Sequence, residues 1–496
     1  ISVYCNAQTY HPKRKSRSRA VSGFFCASGR RQIPSGARGK IPTERAQYPA
    51  EKSAPEKTIA NWRKKCLILP VKNLLCIFAA CAAACRMFAG GAESAAETAH
   101  RLLWEKYMSP GGLILDYSGE IPTPEDIENG VPNYLSWWSP IENGAKFTGL
   151  YIAAACRRAE ETGNESDIAK ARKLAKGLML CASVSDTKGF VARGVGTDGK
   201  SHYPLGSEDQ TVPWLYGMYS YYKSPVPSEA ERAEIREKFA EICEALDANS
   251  WNCPCDGKFA GDSRGNISGF RFFQTPCYLF CLRAAYLVTG DEKWEKKYRA
   301  ALRQRNPRAA PDAPTRLEIC ARGYRQDEGW LKNIDSVFLW IYVKNYAALR
   351  ALFYAETDPE AKKLFREGLE RGAADASQTA AEYEKFDNSK SAEFKLADWR
   401  RNFGRQPQNT QKEAEKVALG QLKIPEIWER RNYERRFMTI PLSAAAICAF
   451  SGNPKYSGLV EKAVAHYDYS KANIGEIFLA EVALYASRAC AVKAPE

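Results

Sequence analysis

The chain is poor in histidine, and it lacks the short motifs that mark nucleotide-binding and serine-hydrolase sites. Four of its 496 residues are histidines, and only His100, His202 and His466 follow residue 92. So few imidazoles argue against a histidine-rich metal centre. No Gly-rich phosphate loop, dinucleotide fingerprint or serine elbow is present, which argues against the enzymes that use them. We therefore expect no metal and no cofactor.

The chain also lacks an apolar run long enough to span a membrane. Its best candidate, residues 74–85, has 12 residues and matches the apolar core of a signal peptide. Basic residues precede this core, small residues follow it at 89–92, and no Met precedes Met87. We interpret residues 1–92 as a basic leader with a signal peptide, and residues 1 to about 66 as translated upstream sequence. The protein is expected to be exported, periplasmic or secreted; a lipoprotein acylated at Cys81 or Cys85 is the alternative.

Residues 92–496 carry no net charge, counting Lys and Arg against Asp and Glu. The chain has 72 Lys and Arg against 58 Asp and Glu, but residues 1–91 hold 17 of the basic and 3 of the acidic residues. The remaining residues therefore carry 55 of each. Because the net charge of +14 belongs to the leader, it gives no reason to expect a nucleic-acid partner.

Cysteine is present without the spacing of a zinc site. Ten cysteines follow residue 92, most of them in apolar helical runs, where a thiol behaves as a small hydrophobic group. Cys253 and Cys255 have one residue between them and no second Cys or His pair nearby, so they do not form a zinc signature.

What the chain does contain is a recurring helical hairpin. An apolar helix, a tight polar turn and a more charged helix are followed by a long loop, at intervals of about 62 to 95 residues. Each turn combines a helix stop with a helix start. The turns are 162–164, 224–225, 289–291, 357–359 and 451–453.

Two further helices, near 95–107 and 474–489, bring the expected number to about twelve, or six hairpins. In this architecture the chain resembles the six-hairpin carbohydrate-active enzymes, a group of glycosidases and polysaccharide lyases. The resemblance covers residues 95–490 and matches no family signature residue by residue. It implies an all-α fold, an (α/α)6 toroid made by residues 93–496 as one domain, with the long loops on one face.

The long loops are rich in aromatic residues. An aromatic ring covers the apolar face of a sugar well, so this enrichment favours a carbohydrate substrate. Each tryptophan could instead be ordinary core that fills the end of the toroid. The candidates for sugar binding are Trp137, Trp138, Trp251 and Trp330, together with Trp214 one turn into a helix.

The densest group of polar residues lies at 189–222. Arg193, His202 and Tyr203 precede Glu208 and Asp209, which start a predicted core helix whose N-terminus favours an anion. Ser207 and Gln210 match a capping box, which leaves Asp209 less explained by capping. We predict Asp209 as a catalytic carboxylate, with helix-dipole stabilisation as the alternative.

A second start signal precedes the first core helix. Ser139 as N-cap, Pro140 at the first helical position and Glu142 three residues after the cap predict a helix that begins there. Capping then explains Glu142, and Asn143 is left to contact a ligand.

A third group, 322–330, supplies both carboxylates and cations. Glycosidases need a protonated acid and an ionised carboxylate on opposite sides of the scissile bond, so Asp327 or Glu328 is a candidate partner for Asp209. A surface ion-pair network is the alternative. The associated substrate-binding candidates are Tyr324, Arg325, Arg264 and Arg271.

The leading interpretation is an enzyme that hydrolyses glycosidic bonds with a carboxylate pair. A polysaccharide lyase is the second: His202 or Tyr203 would remove a proton from a uronate, with Arg193 and Arg264 neutralising its carboxylate. A non-catalytic glycan-binding protein is the third, because no catalytic signature is matched.

Overall fold

A computed structural model describes residues 91–129, 131, 139–331, 334–337, 339–390, 410, 412–413, 416 and 432–488. The leader with its predicted signal peptide lies outside this part of the chain, as do Cys81, Cys85, Trp137 and Trp138. The described part is mostly α-helical and contains little strand, which agrees with the predicted all-α class.

Fifteen helices are described, labelled in chain order. They are α1 (91–106), α2 (Pro124–Glu128), α3 (Gly144–Thr162), α4 (Glu165–Cys181), α5 (Glu208–Lys223), α6 (Glu229–Ala248), α7 (Thr275–Thr289), α8 (Glu292–Leu302), α9 (Arg316–Arg322), α10 (Ile334–Val337), α11 (Leu339–Ala355), α12 (Pro359–Ala380), α13 (Ile440–Phe450), α14 (Ser457–His466) and α15 (Leu479–Arg488). A π-helical turn, Arg435–Thr439, leads into α13.

The described residues form one small sheet. Its strands are β1 (Asn252–Pro254) and β2 (Ser263–Asn266), which pair antiparallel with a bulge in the register. The sheet belongs to the long connection between α6 and α7.

The predicted turns lie where one helix ends and the next begins. Gly163 ends α3 and Gly290 ends α7, both in the left-handed conformation, with φ of 60° and 75°. Asn164, Ser228 and Asp291 then cap the following helices with a side-chain oxygen. These short turns close the hairpins α3–α4, α5–α6 and α7–α8; similar turns close α11–α12 and α13–α14.

The predicted start of the first core helix is wrong. The helix α3 begins at Gly144 with Asn143 as its N-cap, and Ser139 is not the cap. The carboxylate of Asp116 accepts from the backbone N–H and from Nδ2 of Asn143, both at 2.7 Å. A carboxylate distant in sequence therefore takes the place of the local cap.

Six apolar helices contact one another in a closed circuit: α3 packs on α5, α5 on α7, α7 on α11, α11 on α13, α13 on α15, and α15 on α3. We call these the core helices. The more charged helices α4, α8, α12 and α14 each pack on the core helix that precedes them in the chain, while α6 packs mainly on α7. The apolar cores of neighbouring hairpins are thereby continuous.

The close approach of α3 and α5 depends on glycine. A Cβ at Gly149 would lie 2.2 Å from the carbonyl oxygen of Pro213, and one at Gly217 would lie 2.7 Å from that of Gly149. Real Cβ atoms do not approach backbone so closely, so only glycine allows the two helices to lie at this separation.

A buried polar network joins α1 and α3 to α15, the last helix of the described chain. The hydroxyl of Tyr151 on α3 donates to Glu481 on α15 at 2.6 Å, and Nδ1 of His100 on α1 lies 3.1 Å from the same carboxylate. All three side chains are buried. Helices from the beginning and end of the described chain are thus held together by specific contacts as well as by apolar packing.

Among the described residues, no helix combines the length and the apolar character that crossing a bilayer requires.

Candidate functional site

Charged side chains meet where the core helices begin. Lys146 lies in the first turn of α3, Asp209 in the first turn of α5 and Lys344 in the first half of α11. The Nζ of Lys344 lies 2.9 Å from Oδ1 of Asp209, across 135 positions of sequence. These three residues, together with Trp340 and Arg435, form what we call the central cluster.

The start of α5 differs from the predicted capping box. Ser207 caps the helix by accepting from the backbone N–H of Asp209 at 3.2 Å. Gln210 does not complete the box, because its Oε1 accepts from the backbone N–H of Lys146 at 2.9 Å. The buried amide of Gln210 thus satisfies a donor in the first turn of α3 and ties the two helix starts together.

The position of Asp209 favours its ionised form. Burial opposes ionisation, but the ammonium of Lys344 and the charge of Lys146 outweigh it and hold the Asp209 pKa well below its usual range. Arg193 acts in the same direction. At neutral pH Asp209 is therefore a carboxylate, able to act as a base, a nucleophile or a negative charge beside a cationic transition state.

The adjacent Glu208 has the opposite tendency. Burial, followed by the charge of Asp209, raises the Glu208 pKa. Its carboxyl lies against the β2 backbone, where a side chain at Gly265 would collide with it. The first turn of α5 therefore carries two carboxyl groups with different affinities for a proton, the property that acid–base pairs use.

Lys146 is a buried amine without a hydrogen-bond partner at Nζ. Burial lowers its pKa to about 7, and the nearby charges of Lys344 and Arg435 contribute to that shift against the opposing effect of Asp209. Its Nζ lies 3.5 Å from the ring centroid of Trp340. An amine of this kind exchanges a proton readily near neutral pH.

Aromatic rings flank both lysines. The guanidinium of Arg435 lies 4.0 Å from the Trp340 centroid, so this indole contacts two cationic side chains. Nζ of Lys344 lies 3.7 Å from the ring centroid of Phe273. Such contacts stabilise cations away from water and leave aromatic faces close to the charged groups.

The structure gives His202 a binding partner away from the central cluster. Its Nε2 lies 2.8 Å from Oδ2 of Asp256, and its Nδ1 lies 2.8 Å from the carbonyl oxygen of Lys200. Both ring nitrogens are therefore engaged by neighbouring oxygens. A ring held in this way has no free nitrogen to accept a substrate proton. Tyr203 is fully buried, and its hydroxyl donates to the Val131 carbonyl at 3.3 Å.

Asp327 is engaged by three donors. Its carboxylate accepts from the backbone N–H groups of Phe272 and Phe273, at 3.1 and 2.9 Å, and from the Tyr342 hydroxyl at 2.9 Å. Burial raises its pKa, and these donors oppose the rise. Because Phe273 in turn contacts Lys344, the role of Asp327 is to position a side chain of the central cluster.

Glu328 lies at the surface. Its side chain is 54% exposed and pairs with Arg325 at 2.8 Å. Arg325 also contacts Asp335 at 2.6 Å, and the buried Tyr324 donates its hydroxyl to Asp335. The group at 322–330 is thus an ion-pair network, the alternative that the sequence left open.

Two arginines that the sequence predicts as substrate-binding residues are buried close to the central cluster. Arg193 donates to the carbonyl oxygen of Glu142 at 2.9 Å, and its charge acts on both Lys146 and Asp209. Arg264 lies beside Glu208 and reaches the Gly206 carbonyl at 3.5 Å. In each guanidinium, Nε is buried without a hydrogen-bond partner.

The tryptophan candidates within the described residues differ in position. Trp214 is fully buried and donates to the Leu178 carbonyl, while Trp251 is buried against Tyr278 and Trp294, so both are core. Trp330 is partly exposed and stacks with Phe273. Arg271, which is exposed, lies 4.1 Å from the Trp330 centroid. Trp330 and Arg271 therefore remain accessible near the aromatic side of the central cluster.

Sequence reasoning missed Lys146, Lys344 and Trp340, whereas Arg435 belongs to a group of cationic residues that the sequence marks as suited to carboxylate recognition. A signal for the lysines was present, because each is a charged residue within an otherwise apolar core helix. A lysine is rarely buried without a partner or a function, so its presence in an apolar helix marks a candidate site. Trp340 carried no such mark, since its contact with Arg435 depends on how α11 and the π-helical turn approach each other.

The described cysteines are all free and buried, and nearby charges are too few to activate them: burial raises the pKa of Cys181 and of Cys320, among others. Within the described ranges, no group of three His, Cys, Asp or Glu side chains could hold a metal ion.

A cavity of about 110 Å³ lies at the opposite end of α13 from the central cluster. It is lined by Ala449, Gly452, Asn453, Pro454, Tyr456, Ser457, Val460 and Ser487. This lining contains no carboxylate, imidazole or amine, and so it lacks the carboxyl pair that the hydrolysis of a glycoside uses. We therefore take the central cluster as the candidate site.

Comparisons of this chain with protein-family models, with curated proteins and with solved structures found no match in any of the three.

Proposed function

We propose that this chain is an exported enzyme that cleaves glycosidic bonds, with its core helices arranged as the inner ring of an (α/α)6 toroid. The closed circuit of contacts among six core helices supports this arrangement, as does the packing of four more charged helices on the core helices that precede them. In such a toroid the starts of all six core helices would lie at one end. The central cluster lies at that end.

The observation that carries the proposal is the ion pair between the buried Lys344 and the half-buried Asp209. Its Nζ–Oδ1 distance is 2.9 Å, and aromatic rings lie beside it. A carboxylate kept ionised in a water-poor site stabilises a developing oxocarbenium charge or attacks the anomeric carbon. Aromatic faces next to that carboxylate suit the apolar side of a sugar ring.

Hydrolysis also needs a group that protonates the leaving oxygen. Asp327 is occupied by three donors and Glu328 is exposed and paired, so neither suits this role well. Glu208 is the better candidate, because its environment raises the pKa of its carboxyl beside an ionised Asp209. In this mechanism Glu208 donates the proton and Asp209 acts on the opposite side of the bond.

Elimination from a uronate glycan is the second candidate. It is favoured by the cations around Lys146, since a lyase must neutralise a uronate carboxylate before removing the neighbouring proton. His202 is held by two acceptors, so an elimination mechanism would use the Lys146 amine as the base instead.

The test is digestion of a panel of neutral and uronate-containing polysaccharides, following reducing ends and the ultraviolet absorbance of unsaturated sugars together. Reducing ends without absorbance support hydrolysis, whereas both signals rising together support elimination. Asp209→Asn should abolish hydrolysis and Lys146→Met should abolish elimination, whereas the exposed-site variant Glu328→Gln should retain either activity. If neither reducing ends nor absorbance increased with any polysaccharide, a glycan-binding protein without catalysis would be favoured.

A further inference from the structure

The central cluster has more positive than negative charge around one unpaired amine. The groups that act on Lys146 come from four elements: Asp209 on α5, Lys344 and Trp340 on α11, Arg435 on the π-helical turn, and Arg193 in the connection between α4 and α5. Lys344, Arg435 and Arg193 are cations, Asp209 is a carboxylate, and Trp340 is uncharged. The carboxylate, moreover, already accepts from Lys344 at 2.9 Å.

A buried cation without a partner destabilises a folded protein unless something compensates it. Lys146 Nζ makes no hydrogen bond, and Nε of Arg193 makes none either. Burial and the charge of Asp209 raise the pKa of Glu208, which favours the uncharged form of its carboxyl. The cluster therefore offers N–H donors and positive charge, the two features that recognise an oxyanion.

We propose that the central cluster binds a ligand through a carboxylate group and that Lys146 takes up a proton from solvent as the ligand binds. The amine accepts one proton from the buffer, becomes an ammonium and pairs with the carboxylate; no other bond is made or broken. The identity of the ligand as an acidic sugar rests on the proposed function. The partly exposed Trp330, which contacts Phe273 beside Lys344, offers a ring for the apolar face of that sugar.

The direction of proton transfer follows from the environment of the amine. In the free protein burial lowers the Lys146 pKa to about 7, so above that pH the amine is mostly neutral. A carboxylate beside Nζ raises the pKa again, because an opposite charge favours the ammonium. Proton uptake should therefore be largest above pH 7 and should fade below it, where the free protein already carries the proton.

The experiment is isothermal titration of the full chain with glucuronate, glucose and inorganic sulfate, at about pH 8 and about pH 6, in buffers of different ionisation enthalpy. Glucuronate should bind at least tenfold more tightly than glucose, which has the same ring without the carboxylate. Close to one proton should be taken up at the higher pH and much less at the lower.

Lys146→Met should abolish this proton uptake and weaken glucuronate binding about tenfold or more, the loss of one charge-assisted contact. Lys363→Met, at a lysine whose side chain is 77% exposed, is the matched control and should change neither quantity. Since removal of an unpaired buried amine should not unfold the protein, a folded Lys146→Met variant is expected and can be verified by its circular dichroism.

Equal binding of glucuronate and glucose, or no binding of either oxyanion, would overturn the proposal, and so would unchanged proton uptake in Lys146→Met. Sulfate binding as tight as glucuronate would identify a site for free anions and remove the sugar from the inference. Glucuronate binding without activity on any polysaccharide would remove the proposed enzyme function and leave the anion site standing.

Discussion

The ammonium of Lys344 and the carboxylate of Asp209 form an ion pair, with Nζ 2.9 Å from Oδ1, that connects α11 to α5. The Lys344 side chain is 1% exposed, and that of Asp209, in the first turn of its helix, is 23% exposed. This pair links the packing of the core helices to the proposed chemistry, because the same contact that joins two helices keeps a carboxylate ionised.

Removing one partner of this pair should be more harmful than removing both. Lys344→Met leaves a half-buried carboxylate without the ammonium that donates to it, and we expect it to lower the free energy of unfolding by about 1.5–3 kcal/mol. The double variant Lys344→Met with Asp209→Asn should recover much of that loss. Chemical denaturation of the two single variants and the double variant measures the coupling; strictly additive effects would show that the two side chains do not interact.

Lys146 should make stability depend on pH in a defined direction. Its pKa is about 7 in the folded protein and close to 10.5 when unfolded, so the unfolded chain binds more protons between these values. The free energy of unfolding should therefore rise with pH from about 7 to about 10. Lys146→Met should remove that part of the rise and raise stability at pH 7 by about 1 kcal/mol or more. Denaturation curves of both proteins across this range provide the difference; identical slopes would contradict the prediction.

The network around Glu481 should stabilise the contact between the first and last core helices. Glu481→Ala removes the acceptor of the Tyr151 hydroxyl and of His100, and leaves both buried without it. We expect a loss of about 3 kcal/mol. A surface carboxylate such as Glu360→Ala should change stability by no more than about 0.5 kcal/mol. Thermal unfolding compares the two, and a small effect of Glu481→Ala would mean that apolar packing alone holds this contact.

The close approach of α3 and α5 should make Gly149 intolerant of a side chain. The added Cβ of Gly149→Ala would meet the Pro213 carbonyl, so the helices must separate and lose contact. A destabilisation of about 1–3 kcal/mol is expected from this overpacking. Gly458→Ala is the control, since nothing lies within 4 Å of its Cβ position in α14. If both variants unfolded at the same denaturant concentration, the described helix separation would be in error.

The hairpin turns could be predicted from the sequence because they depend on neighbouring residues. Gly163 and Gly290 each end a helix in the left-handed conformation, and the side chains of Asn164 and Asp291 cap the next helix directly. The start of α3 could not be predicted in this way, because the group that binds the Asn143 amide is Asp116, distant in the sequence.

The candidate site was predictable in part. Asp209 was found because it stands at a helix start with less need for capping than its neighbours. Its expected partners, Asp327 and Glu328, are instead held by the Phe272–Phe273 backbone and by Arg325. Whether a carboxylate pairs with a distant charge or with a local donor depends on the approach of two helices, which sequence spacing does not specify.

By itself, the sequence determined the helical class, the hairpin turns and the concentration of positive charge in residues 1–91. All three follow from local composition and periodicity. Only the tertiary structure decided that Lys344 would neutralise Asp209 and that Lys146 would be buried without a hydrogen-bond partner. Those outcomes depend on distances between helices far apart in the sequence, and a charge changes its properties according to the water and the charges that folding brings around it.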